Sequence, residues 1–96
     1  MRFDPELIRT GTAFDVRLPD YASIALKRLV DAIEATDDRE VTEREAHHLR
    51  EAAEEAMAGL VAAETNVGND SSSLATIAGV VAWVRDIQAV LEANAN

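Results

Sequence analysis

The sequence predicts an all-α fold: an antiparallel bundle of three helices preceded by a short extended N-terminal arm, dimerising through the last helix. Three observations carry that expectation. Of the 96 residues, 48% are hydrophobic, many of them alanine, and only 4% are aromatic, so a core has to come from aliphatic side chains on closely approaching helices. Apolar residues recur at three- and four-residue intervals through most of the chain, the period of one helix face. Thr42 followed three residues later by Glu45 is a capping box, which satisfies two otherwise orphan amides at a helix start. The length suits one domain, with an arm over 1–19 and main helices over 20–36, 42–66 and 73–93.

The arm opens on Asp4-Pro5, a cap and first helical position, and Gly11 marks the end of a turn or two over Pro5 to Thr10. From Thr12 to Leu18 the apolar Phe14, Val16 and Leu18 alternate with Asp15 and Arg17, the pattern of an extended segment buried on one face. With no second alternating run to pair with, this segment is expected to lie on the helices or to be completed by another molecule. Pro19 and Asp20 open the first long helix, whose stripe is Leu26, Leu29, Val30 and Ile33, ending near Thr36.

The second long helix places Ala46, Leu49, Ala53, Ala56, Leu60 and Ala63 on one seam, widened by Met57 and Val61. Gly59 costs it about 1 kcal/mol relative to alanine, which a tightly packed neighbour explains. Val67 to Asp70 ends this helix, and Ser71, Ser72 and Ser73 are the expected caps of the next. The third helix carries Leu74, Ile77, Val81, Val84, Ile87 and Leu91 on one stripe, which Val80, Trp83 and Val90 extend. A helix apolar over so much of its circumference needs cover on more than one side, so Val80, Trp83 and Val90 are the expected self-association surface. Trp83 also reads as ordinary core.

The residue inventory excludes several chemistries. Cysteine is absent, which removes disulfides, thiolate catalysis and cysteine-bound zinc. The serines sit in a helix cap, and the four glycines form no phosphate-cradling loop. Glu43, His47 and Glu51 share one helix face at four-residue spacing and are the nearest approach to a metal site, but on a solvent face such spacing signifies ion pairing. Glu45 and His48 spell the Glu-x-x-His element of di-iron bundles, without the inward carboxylates from the other helices that such a centre requires. The expectation is a protein that is not an enzyme and that binds no metal and no cofactor. No uninterrupted apolar run reaches the roughly 18 residues of a membrane span, and the N-terminus carries no secretory pattern. A cytoplasmic protein without a membrane partner is expected.

The formal charge is −9, which disfavours direct binding to nucleic acid. Most of it is local: from Asp31 to Glu55 ten carboxylates face three arginines, a net of −7. Asp31, Glu34, Asp37, Asp38, Glu40, Glu43, Glu51 and Glu55 are the candidate binding residues, and a basic protein surface is the partner they would attract. The expected function is a small non-catalytic binding module, an inhibitor or nucleic-acid mimic. Phage-encoded inhibitors of host defence nucleases, anti-CRISPR proteins among them, offer an analogy of size and charge only. An immunity or antitoxin protein fits the same features, and a structural or assembly subunit would rely on the apolar last helix instead.

Overall fold

The computed structural model describes residues 1–14, 17–68 and 70–94. They form four helices and, among the described residues, no strand: α1 (Pro5–Thr12), α2 (Asp20–Glu34), α3 (Glu43–Asn66) and α4 (Ser71–Ala93). The all-helical expectation holds, but the arm is a helix that joins the core. Of the extended segment expected over Thr12 to Leu18, Thr12 belongs to α1 and Arg17 and Leu18 have no regular structure, while Asp15 and Val16 lie outside the described residues.

Each start has a local cause. The Asp4 carboxylate accepts from the Glu6 amide at 2.9 Å, and Pro5 begins α1 without an amide to satisfy. Thr42 and Glu45 close the capping box, each side chain accepting from the other's backbone N–H at 3.1 Å. At α4 the cap is Asp70 instead of a serine: its carboxylate accepts from the Ser73 hydroxyl at 2.7 Å and from the Ser73 amide at 3.5 Å. These bonds, the hydroxyl's foremost, hold the Asp70 carboxyl below its usual pKa. Gly68 at φ +62° supplies the left-handed turn before it.

α3 is the axis of the molecule, packed along α2 on one side and α4 on the other, while α1 lies against α2 and α4. Asn66 donates to the Tyr21 hydroxyl at 2.8 Å, and Arg28 and Glu55 are 3.8 Å apart. Tyr21 opens α2 and Asn66 closes α3, while Arg28 and Glu55 lie near their middles, so α2 and α3 run antiparallel. Arg50 reaching the Leu91 carbonyl at 3.3 Å does the same for α3 and α4. The extents are 41 × 22 × 21 Å. Leu29, Ile33, Leu49, Leu60, Val80, Val84 and Ile87 fill the centre, as the stripes predict. Val61 does not join the seam and is exposed. Gly59 meets the expected close neighbour, since a Cβ there would stand 3.0 Å from the Ala22 Cα.

The cover for the wide apolar face of α4 comes from α1. Trp83 is only 3% exposed, its indole N–H donates to the Leu7 carbonyl at 2.7 Å, and Phe14 meets the ring edge-on at 5.7 Å. Gly11 is the next-to-last residue of α1, within one residue of the end expected for this helix, and a Cβ there would fall 2.1 Å from the indole. Val80 is fully buried and Val90 half-buried, so two of the three residues expected to associate with another copy are already enclosed by one chain. Taken as a whole helix and not as an unbroken apolar run, α4 is long and apolar enough to cross a membrane by length and composition. A buried core stripe gives a helix the same composition, and here Ile77, Val80, Val84, Ile87 and Leu91 are that stripe.

Candidate functional site

The acidic segment begins in α2, crosses the turn and continues along α3, and its side chains separate into three groups. At the turn stand Glu34, Asp37, Asp38 and Glu40, all exposed. Asp38 takes a left-handed backbone, φ 58°, which a short polar side chain tolerates better than most. Arg2 approaches Asp38 at 3.6 Å and Glu40 at 3.8 Å. The terminal ammonium hydrogen-bonds Glu40 at 2.6 Å and is the main reason its carboxyl lies below the usual pKa range.

One residue of this turn, Arg39, escaped the sequence reading. Its Nε donates to the Ala35 carbonyl at 2.9 Å, and one terminal nitrogen donates to the Glu40 carbonyl at 3.1 Å and to Glu45 at 2.9 Å, while the other grips the second Glu45 oxygen. It thereby caps the C-terminal end of α2, which has no basic residue in its last turn, and ties it to the start of α3. Hydrogen bonds from Arg39, then from the Thr42 amide, hold the Glu45 carboxyl down at about 2. The same partner raises the Arg39 pKa. A sequence signal was present: an arginine just past a helix end and six residues before a capping-box glutamate.

The second group, Asp31, Glu51 and Glu55, borders the exposed side of the α2–α3 pair. Each carboxylate has a basic side chain beside it: Lys27 at 3.3 Å from Asp31, His47 at 3.1 Å from Glu51, and Arg28 at 3.8 Å from Glu55. All six side chains are more than half exposed, so these pairs contribute about 0–1 kcal/mol each. Between the helices runs a groove of about 650 Å³, lined by Asp31, Ala32, Ala35 and Thr36 from the α2 side and by Arg44, Glu45, His47, His48 and Leu49 from α3. Glu43, on the same exposed face of α3 as His47 and Glu51 but nearer its α4 edge, forms a third group with Glu54, where crevices shared with α4 are lined by Arg50 and Leu91.

Eight candidate residues adjacent in sequence are thus spread over two flanks and one end, because successive helical residues point about 100° apart. His47 pairs with Glu51 as the spacing predicts, and among the described residues no group of three or more His, Asp or Glu is arranged to hold a metal ion. Glu45 of the Glu-x-x-His element is engaged by Arg39 and Thr42. What this arrangement can do is present carboxylates: every acidic side chain from Asp31 to Glu55 is exposed except Glu45, which is half-buried. Comparison with protein-family models, curated proteins and solved structures finds no match.

Proposed function

We propose that this chain is a non-catalytic protein-binding module that engages a positively charged protein partner through the carboxylates between Asp31 and Glu55, acting as an inhibitor or nucleic-acid mimic. The observation that supports this reading is the exposure of that charge: a net of −7 over one quarter of the chain, with none of its carboxylates buried. Ion pairs on the surface are weak, so a partner's lysines and arginines can replace Lys27, Arg28 and His47 at little cost. The charge would accelerate encounter and fix which surface is met.

The test starts from a partner recovered from the native host. Its association should slow steeply with salt, because the Debye length falls from about 10 Å at 0.1 M to about 3 Å at 1 M. Reversal of Glu34, Asp37 and Glu43 to lysine, which spares the left-handed Asp38 and the Glu40 that holds the terminal ammonium, should leave the melting transition near that of the parent while weakening the complex by at least about tenfold. Near-parental affinity of this variant at low salt would refute the proposal.

A further inference from the structure

Asp38 and Glu40 do more than carry charge: they hold the chain that precedes α1. Arg2 lies 3.6 Å from Asp38 and 3.8 Å from one Glu40 oxygen, and the terminal ammonium takes the other. Beneath these pairs the Val41 amide donates to the Met1 carbonyl at 2.8 Å. Phe3 and Val41, both buried, carry the same two segments into the core. Residues 1–4 therefore form a strap from the acidic turn to α1, which begins at Pro5 and closes over Trp83 through Leu7 and Gly11.

The outer contacts of the strap are of the kind that a partner's cations can replace. The Arg2, Asp38 and Glu40 side chains are 57%, 96% and 70% exposed, and pairs in that much water shift an equilibrium by no more than about fivefold. α1 has only eight residues, too few to persist as a helix away from the core, so whatever loosens the strap raises the fraction of chains in which α1 is open. We infer that Arg2 is an internal competitor for the acidic turn: a basic partner that takes Asp38 and Glu40 displaces it, and binding at the turn is thereby coupled to the closure of α1 over Trp83. The coupling is reciprocal. Cations at the turn loosen α1, and a loosened strap leaves the turn freer to bind cations. This rests on the functional reading above and adds its regulation.

The probe is a lysine homopeptide of about ten residues, titrated at low salt. Hydrogen exchange followed by mass spectrometry reads the opening of α1 over Pro5–Thr12 and that of the bundle over α3. With the probe bound, exchange in α1 should rise between about twofold and about fivefold while α3 keeps its rate. Arg2→Ala should show that rise without the probe and little more with it. It should also bind the probe at least about twofold more tightly than Arg85→Ala, which removes an equal charge from an exposed position on α4. Binding of the probe without a change in α1, an equal rise in α3, or an Arg2→Ala variant that matches Arg85→Ala in both readouts would overturn the strap and leave the acidic-surface reading standing. Failure of the probe to bind the parent at low salt would overturn the two together.

Discussion

Two junctions flank the α2–α3–α4 core of this molecule, and they rest on opposite physics. Where α1 meets α4, an indole is enclosed by residues more than 60 positions away in sequence: Leu7 accepts its N–H, Gly11 makes room for it and Phe14 meets its edge. At the turn that joins α2 to α3, outside the apolar core between those helices, the contacts are between near neighbours, Thr42 with Glu45 and Arg39 with Ala35 and Glu45, all polar and mostly exposed. The first junction depends on shape and desolvation, the second on charge and hydrogen bonding in water. Substitutions should therefore be costly at the first and mild at the second, although the second holds the residues assigned to binding.

The largest effect is expected at the indole seat. Trp83→Ala should cost about 3–5 kcal/mol, a large part of the roughly 5–15 kcal/mol typical of a domain, read as a fall in the urea midpoint. Gly11→Ala should cost about 1–3 kcal/mol through overpacking, and most of that cost should vanish in a Trp83→Leu background. Additive costs in that double-mutant cycle would mean that Gly11 is not there to admit the ring.

At the other junction Thr42→Ala should cost about 0.5–2 kcal/mol, as losses of a cap do, with the midpoint again the readout. A loss as large as that at Trp83 would erase the contrast between the two junctions. Gly79 offers a change of opposite sign. It lies inside α4 with nothing within 4 Å of a built Cβ, so Gly79→Ala should raise stability by about 0.5–1 kcal/mol. The smallest effect concerns pH. Because the folded-state pKa of Glu45 is lowered to about 2, its contribution is present above the ordinary glutamate range and is lost as pH falls from that range towards 2. Glu45→Gln should flatten the parent's pH–stability curve in that window, and an unchanged curve would mean that the carboxyl is not held down by Arg39 and Thr42.

The same contrast explains which features could be read from the sequence. The capping box, the helix stripes and the close neighbour of Gly59 follow from spacing within one element, and the structure has them where the sequence puts them. The seat of Trp83 does not follow from spacing. Gly11 reads locally as a helix stop, and only the position of α4 reveals that its missing side chain is what matters. The acidic residues are legible as a group but not as three groups, since a one-dimensional charge count ignores both the reversal of the chain between α2 and α3 and the 100° step that separates Glu54 from Glu55. Asp70 does not stand out as a cap because three serines follow it.

Trp83 is the single tryptophan, so its fluorescence reports the closure of α1 over α4 without a label. Emission should be that of a buried indole and should stay so on dilution from micromolar to nanomolar chain, while Gly11→Ala moves it to the red. A red shift of the parent on dilution, in step with a halving of mass by light scattering, would mean that a second copy and not α1 encloses Trp83.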